Sequence, residues 1–339
     1  MKVVTFGEIM LRLAPFGNLR FFQESALEAT FGGGEANVAV SLSFFGYDAA
    51  FVTKVPDNAI GQAAISELRK HGVNTTYIAK GGDRLGIYYL EKGMSVRASN
   101  VIYDRANSSI SKASEKDFNW HQIFDNVNWF HFTGITPALS DDLANILILA
   151  LKIAKEKGIK VSCDLNYRKK LWSTEKAKKV MSKLMQYVDV LIANEEDAEK
   201  VFGIKAKNAD ISKGKIERES FVDVAKQLVE KFNFEAVAIS LRESISASLN
   251  NWGGMLYVKD KAYFSKTHNI NILDRVGGGD SFCAGLIYGL NEFKDYQEVI
   301  EFAAAASALK QTIEGDFNLT TVDEVKTLIK TDGSGRIQR

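Results

Sequence analysis

The sequence predicts an α/β fold in which helices cover both faces of a parallel sheet. Short apolar runs alternate with helix-length patterns, as in successive β-α-β units. Glycine or a polar side chain follows most of these runs directly, as expected where parallel strands end at one edge of a sheet. Two triple-glycine turns, 32–34 and 277–279, each precede a run of helical length. We expect one domain over 1–331, followed by a C-terminal tail at 332–339.

The elements of the main sheet follow one another in a regular order. Buried strands are predicted from their short apolar runs at 3–6, 50–54, 129–134, 159–165, 189–193 and 236–241. Helices are predicted from apolar residues at helical spacing, and several are closed by glycine, at 35–46, 60–71, 141–157, 221–231 and 281–290. Because each strand is predominantly apolar without strict alternation, it should be buried on both faces.

Two segments, 11–31 and 84–106, interrupt this alternation. The first is mixed polar and aromatic without helical period. The second contains GIYYLEKGMSVRASNVIYDRA, two β-rich runs joined by polar turns with no helix between them. We expect the two segments to form a small sheet that projects from the main domain as a lid.

Composition and charge argue against several classes of partner. With 46% hydrophobic and 25% charged residues, the 339-residue chain resembles an ordinary globular protein. A formal net charge of +1 gives no electrostatic reason to expect nucleic acid or an anionic membrane as a partner. The longest apolar run, 146–151, is too short to span a bilayer. Cys163 and Cys283 lie in apolar runs, which suits buried thiols in a reducing compartment, so we expect a cytoplasmic protein.

The polar residues that follow the predicted strands suggest a shared site. They include Asn166 and Arg168 after one strand, Asn194 and Asp197 after the next, and Arg242 after a third. Ligands of such folds lie at the carboxyl ends of the strands, where these side chains converge. An arginine beside carboxylates and glycine turns suits phosphoryl transfer, which needs an anion cradle, a cation and a base.

The second glycine turn carries the strongest local signal. Gly277, Gly278 and Gly279 lead directly into a helix, whose first amides and positive dipole end favour phosphate. Asp280 then lies beside this anion site, where its carboxylate could accept a hydroxyl proton. Taken alone, the turn is equally compatible with a tight loop closed by an aspartate cap.

Together, GGGEANVAVSLSFFG and DRVGGGDSFCAGLIYG resemble the two signatures of the ribokinase-like (PfkB-type) carbohydrate kinases, in order and in separation. The resemblance covers essentially the whole chain. It implies a three-layer α/β/α sandwich with a projecting β-sheet lid. It also implies ATP as the phosphoryl donor, Mg²⁺ as a cofactor and a sugar hydroxyl as the acceptor. It also implies an anion hole at 277–279 and Asp280 as catalytic base. Two residues depart from the family pattern: Arg275 replaces a small or apolar residue, and Asp197 stands where many members have glutamate.

Further pieces, VIYDRANS, DLNYRKKLW and ANEEDAEKVFG, are most similar to the family's sugar-acid kinases, which phosphorylate 2-keto-3-deoxygluconate at O6. The resemblance implies substrate contacts at Gly34, Asn37, Tyr89, Tyr103, Arg105, Arg168 and Asp280. It implies nucleotide contacts at Asn166, Arg168, Asn194, Ser240, Arg242, Gly277 and Gly279, catalytic roles for Gly278 and Arg168, and a metal-binding role for Asp197. Arg105 would supply the cation that a sugar acid needs.

Alternative interpretations remain for the substrate and for single residues. A kinase of a neutral sugar such as fructose or ribose would leave Arg105 unpaired, and a non-catalytic sugar-acid-binding regulator would have no use for Asp280. Arg105 could instead be an exposed charge on an edge strand, and Asn194 with Asp197 could form a helix cap. Tyr88 is expected to pack the small sheet. Exposed sheet edges favour a homo-oligomer, by default a dimer through this sheet.

Overall fold

The structure, a computed structural model, describes residues 1–194, 196–205 and 218–331. The predicted tail at 332–339 lies outside these ranges. The described strands are β1 (Lys2–Phe6), β2 (Met10–Ala14), β3 (Glu28–Gly32), β4 (Asp48–Val55), β5 (Ile78–Lys80), β6 (Gly86–Glu91), β7 (Asn100–Asp104), β8 (Trp129–Thr133), β9 (Lys160–Asp164), β10 (Val190–Ala193), β11 (Ala236–Ser244), β12 (Leu249–Val258), β13 (Lys261–Phe264) and β14 (His268–Asn271).

Helices separate most of these strands. They are α1 (Gly34–Phe44), α2 (Ala59–Lys70), α3 (Trp120–Ile123), α4 (Thr136–Leu139), α5 (Asp141–Glu156), α6 (Thr174–Leu184), α7 (Asp197–Phe202), α8 (Arg218–Phe232), α9 (Gly278–Glu292), α10 (Tyr296–Lys310) and α11 (Val322–Lys330). Side-chain oxygens that accept first-turn amides cap several of them, at Asn58, Ser140, Ser173, Asp295 and Thr321. By contrast, α1 and α9 follow Gly33 and Gly277 and have no such cap.

The main sheet has ten strands, in the order β13-β12-β11-β10-β9-β8-β1-β4-β5, with β14 also paired to β12. All neighbours from β11 to β5 are parallel. One core cluster contains residues of α5, α6 and α8, and the other contains residues of α1, α9 and α10. The predicted α/β/α sandwich with helices on both faces is therefore confirmed.

The sheet departs from the predicted parallel arrangement at one edge. There β12 runs antiparallel to β11, and β13 and β14 run antiparallel to β12. Only the short turn 245–248 joins β11 to β12, and a connection of this length reverses the chain direction. Parallel neighbours would require a much longer crossover. The sheet is mixed for this reason.

A separate four-stranded sheet has the order β3-β2-β6-β7. Its strands come from the two segments predicted to be β-rich, which confirms that a second small sheet exists. Arg12 of β2 is buried and ion-pairs with Asp274 at 2.5 Å and with Asp316 at 2.8 Å. At its far end, the small sheet contacts the β11–β12 turn, where the Ala247 amide donates to the Ser95 carbonyl at 2.8 Å.

Helix α9 packs closely against α10 through its small residues. A Cβ added at Gly285 would lie 2.8 Å from the Ala303 Cα, closer than real Cβ contacts allow. This close approach holds the middle of α9 against α10. Among the described helices, none is both long and apolar enough to cross a membrane.

Candidate active site

A cavity of about 380 Å³ lies between the carboxyl ends of the main-sheet strands and the small sheet. It brings together most of the residues that the sequence predicts to form the site, namely Gly34, Asn37, Tyr103, Arg105, Asn166, Arg168, Asn194, Ser240, Arg242, Gly277, Gly278, Gly279 and Asp280. Residues more than 240 positions apart thus line one space. The structure places two of the predicted residues, Tyr89 and Asp197, outside this lining.

Asp280, in the first turn of α9, lies beside the first turn of α1. The Asn37 side-chain amide donates a hydrogen bond of 2.7 Å to the Asp280 carboxylate. Burial raises the pKa of Asp280 to about 7, against the lowering effect of the Asn37 hydrogen bond, with Asp316 and Glu35 adding to the rise and Arg168 opposing it. A carboxylate with a pKa near neutrality is suited to accept a proton from a hydroxyl group.

The glycine turn places backbone amides at the cavity wall. Gly277 has a φ of 81°, and a Cβ at this position would collide with the Asp316 carbonyl oxygen. Gly279 differs, because a Cβ built on it meets no atom within 4 Å and would project into open space. The first amides of a helix have no partners within the helix, and α9 has no side-chain cap to occupy them. An anion can therefore approach them closely.

The first glycine turn is held by a carboxylate whose role the sequence did not reveal. Glu35 is buried, and its Oε1 accepts hydrogen bonds from the Thr133 amide at 2.9 Å and from the Thr136 hydroxyl at 2.6 Å. Burial raises its pKa despite these bonds. Glu35 therefore ties the beginning of α1 to the end of β8, which positions Gly34 and Asn37 in the cavity. In the sequence, this role of Glu35 was indicated only by the presence of an acidic residue within GGGEANVA.

Arg105 lines the cavity, but it is not an isolated cation. Its Nε donates to Glu8 Oε2 at 2.8 Å, and its Nη2 contacts the same oxygen. The guanidinium also lies 5.4 Å from the centre of the Tyr103 ring. The expectation that a neutral ligand would leave Arg105 unpaired is therefore wrong, because Glu8 already neutralises it.

The two adjacent tyrosines of β6 occupy opposite faces of the small sheet. Tyr88 is buried, lines the cavity and donates its hydroxyl to the Asp316 carboxylate at 2.6 Å. Tyr89 instead packs edge-to-face on Phe21, with ring centres 6.5 Å apart. Side chains alternate along a strand, so only one of the pair can face the cavity. The structure places Tyr88 there, where the sequence had suggested Tyr89.

The other end of the cavity is rich in exposed cations. Arg168 and Arg242 both line the cavity and are exposed, and Ser240 also belongs to its lining. Arg275, the departure noted in the sequence, donates to the Ala247 carbonyl at 2.7 Å. Burial and the nearby Arg242 lower its pKa. This end therefore attracts anionic groups such as the phosphates of a nucleotide.

Asn194 and Asp197 behave mainly as a helix-capping pair. Asn194 Oδ1 accepts the amides of Glu196 at 2.9 Å and of Asp197 at 3.0 Å. Asp197 is buried, and its Oδ1 accepts the Tyr167 amide at 3.2 Å while its Oδ2 has no partner. Burial raises its pKa to about 6. Within the described ranges, no three acidic, histidine or cysteine side chains form a cluster able to hold a metal ion.

Comparison with known proteins decides the family. Residues 1–320 match the pfkB family carbohydrate kinase description. The chain belongs to the pfkB family. It is 33% identical, over 98% of both chains, to a 2-dehydro-3-deoxygalactonokinase of Haloferax volcanii. It is 26% identical to a 2-dehydro-3-deoxygluconokinase of Thermoproteus tenax, covering 97% of this chain and 94% of that one. The crystal structure of a 2-dehydro-3-deoxygluconokinase from Thermotoga maritima has 53% identity and a TM-score of 0.94, with 98% of each chain covered.

Membership of the pfkB family agrees with the chemistry that the site offers. A near-neutral carboxylate, unoccupied helix amides and a cationic rim are the elements that phosphoryl transfer to a hydroxyl group requires. The resemblance seen in the paired glycine signatures is thereby confirmed. The chain is a carbohydrate kinase.

Proposed function

We propose that this pfkB family kinase transfers the γ-phosphoryl group of ATP to the O6 hydroxyl of 2-keto-3-deoxygluconate. The observation that carries the proposal is the position of Asp280, in the first turn of α9 and in the same cavity as Arg105. The Thermotoga and Thermoproteus relatives support the sugar acid as substrate, since both are named 2-dehydro-3-deoxygluconokinase.

In the proposed reaction, Asp280 accepts the proton of O6 while that oxygen attacks phosphorus in line with the leaving group. The amides of 277–280 and the Arg168 guanidinium stabilise the charge on the phosphoryl oxygens. Arg105 and Tyr103 hold the sugar acid, and the small sheet keeps water from the reacting groups. The nucleotide lies along Ser240, Arg242 and the glycine turn, with Asn166 and Asn194 beside its phosphates.

Mg²⁺ would accompany the nucleotide in this proposal. Asp197 has a buried oxygen without a partner, which suits an acid that faces a cationic group. Because no cluster of three possible ligands occurs among the described residues, the ion would be held by phosphate oxygens and water, with Asp197 acting through water. Bound Mg²⁺ supplies neutralisation of the phosphate charge.

The assay that tests this function measures ADP release with purified protein, ATP and a panel of acceptors. The panel contains 2-keto-3-deoxygluconate, its galactonate epimer, fructose and ribose, and ³¹P NMR locates the phosphate on the product. The epimer is included because of the Haloferax relative's name. Turnover of 2-keto-3-deoxygluconate at O6 supports the proposal. Preference for fructose or ribose would make the neutral-sugar kinase correct, and binding without turnover would indicate a regulator.

We further propose that the enzyme works in the cytoplasm as a homodimer. Cys163 and Cys283 are buried and unbridged, a state that a reducing compartment preserves. Ile102 of β7 is 48% exposed and lies on the face of the small sheet opposite Tyr103, which lines the cavity, so that outer face offers an apolar side chain to a second copy. Sedimentation of the wild type and an Ile102→Lys variant tests this arrangement, because the added charge should yield monomers.

A further inference from the structure

The last residue of α10, Lys310, is fully buried behind the glycine turn. Its ammonium donates to three backbone carbonyls, those of Asp274 at 3.1 Å, Ile313 at 3.3 Å and Gly315 at 2.6 Å. No carboxylate of the described residues lies within ion-pair distance of it. A buried ammonium costs much desolvation unless its donors are satisfied, and in this case the backbone satisfies all three.

These three carbonyls belong to the two loops that shape the anion site. Asp274 lies three residues before Gly277, and the 313–316 loop supplies the Asp316 carbonyl against which Gly277 packs. The loops are further joined by the Gly315 amide, which donates to Asp274 Oδ2 at 3.2 Å. Lys310 thus draws together the two segments whose spacing sets the conformation of the glycine turn.

The charge of Lys310 also balances a buried cluster. Asp274 and Asp316 are paired with Arg12, so this group alone would carry one net negative charge directly behind the site for phosphate. Lys310 makes the cluster neutral, and its Cε would lie 3.3 Å from a Cβ at Gly277. In a buried environment a charge this close acts on a bound anion with little screening.

We propose that Lys310 is a positioning residue for phosphoryl transfer, an internal cation that holds the two loops around the glycine turn and offsets the negative charge behind it. This inference rests on the proposed function, since it assigns the glycine turn to the transferring phosphate. Lys310 does not line the cavity. It therefore acts through the turn and not on the substrates.

The test compares Lys310→Met, which keeps an unbranched side chain one heavy atom shorter and removes its charge, with the wild type. We expect kcat to fall about 10- to 100-fold and the Kd for ATP, measured by calorimetry, to rise about 3- to 10-fold. The Kd for the sugar acid should stay unchanged. Leu147→Ala, which opens a cavity on the buried face of α5, is the control, because it lowers stability without altering kcat.

Chemical rescue provides the second arm. Lys310→Ala opens space for a small amine, so added propylammonium should restore kcat at least about fivefold, whereas tetramethylammonium, which cannot donate hydrogen bonds, should not. This arm also decides the matter if Lys310→Met does not fold. A Lys310→Met kcat within twofold of wild type, an equal kcat loss in Leu147→Ala, or no amine rescue would each overturn the inference. Absence of wild-type turnover would instead count against the proposed function, and the ATP Kd would still report on Lys310.

Discussion

Asn37 and Asp280, 243 residues apart in the chain, are joined by a 2.7 Å hydrogen bond in the cavity lining. The bond links the beginning of α1 to the beginning of α9, so one glycine signature supplies the donor and the other supplies the acceptor. Because the donor favours the ionised carboxylate, Asn37 lowers the pKa of Asp280 against the effect of burial. The two glycine signatures therefore jointly position the Asp280 carboxylate and adjust its pKa.

Asn37→Ala should shift the pH dependence of the reaction. Removing the amide raises the pKa of Asp280 further, so the acid limb of the kcat/KM profile should move to higher pH from its wild-type midpoint of about 7. Steady-state assays from pH 5.5 to 9 would measure the shift. Asn58→Ala removes the cap of α2, outside the cavity, and should leave the midpoint in place. An unchanged midpoint in Asn37→Ala would refute the assigned role.

Asp280→Asn should abolish most of the turnover. The amide preserves size but accepts no proton, so kcat should fall about 10²- to 10⁴-fold with little change in KM. The matched control is Asp295→Asn at the cap of α10, which should retain wild-type kcat. Retention of more than a tenth of wild-type kcat in Asp280→Asn would rule out this carboxylate as the base.

The same substitution should raise stability at alkaline pH. Asp280 has a pKa of about 7 in the folded protein, above its ordinary value of 3.8, so folding disfavours its ionised form. Wild-type stability should accordingly decline as pH rises between these two values, and the deficit should persist above them. Asp280→Asn removes this deficit, so its melting temperature should exceed that of the wild type at pH 8 and differ less at pH 4. Differential scanning calorimetry at both pH values measures the difference.

Gly279→Val should eliminate activity without unfolding the protein. The added side chain would project into the open space at the first turn of α9, where the phosphate is expected, and its Cβ meets no atom within 4 Å. Circular dichroism should show a native spectrum, while ADP release should be undetectable. Gly277→Ala offers the contrast, because its Cβ would collide with the Asp316 carbonyl and its φ of 81° is strained for alanine. That variant should lose stability as well as activity.

Arg105→Ala should weaken binding of the sugar acid. A charge-assisted bond to a carboxylate contributes about 1.5–3 kcal/mol, and competition from Glu8 places the expected rise in KM at the lower end, about 10-fold. The KM for ATP should barely change. Arg105→Lys should recover only part of the loss, since the planar fork is absent.

Glu8 provides the control for this experiment. Arg105→Ala leaves the buried Glu8 carboxylate without its partner, so the double variant with Glu8→Gln separates lost stability from lost binding. Arg84→Ala breaks an ion pair to Asp104 on the same sheet outside the cavity, and should leave both KM values unchanged. If Arg105→Ala does not raise the sugar-acid KM, the carboxylate is held elsewhere or the substrate is neutral.

The features that could be predicted from the sequence are those that depend on short, continuous stretches of the chain. Each glycine turn, the position of Asp280 and the polar ends of the buried strands follow from short stretches, and parallel topology then brings those ends to one edge. Tyr88 and Tyr89 show the limit of this reasoning, because a shift of one residue in a strand reverses the face.

Contacts between distant segments could not be predicted in this way. Arg12 meets Asp316 across 304 residues and Arg105 meets Glu8 across 97, and no local pattern distinguishes these arginines from exposed ones. Their burial depends on how the small sheet docks against the main sheet. Lys310, at the end of an alanine-rich and largely buried helix, gave no sign of its carbonyl partners for the same reason.

The buried ion pairs of Arg12 also restrict how the small sheet can open. Separating β2 from the loops at Asp274 and Asp316 would leave buried charges without partners, at a cost of about 3–5 kcal/mol for each broken pair. The outer strand β7, Asn100–Asp104, is largely exposed, and the buried ion pair of Arg105 with Glu8 holds the chain directly after its last residue. Any movement of the small sheet that admits the sugar is therefore expected to leave β2 in place.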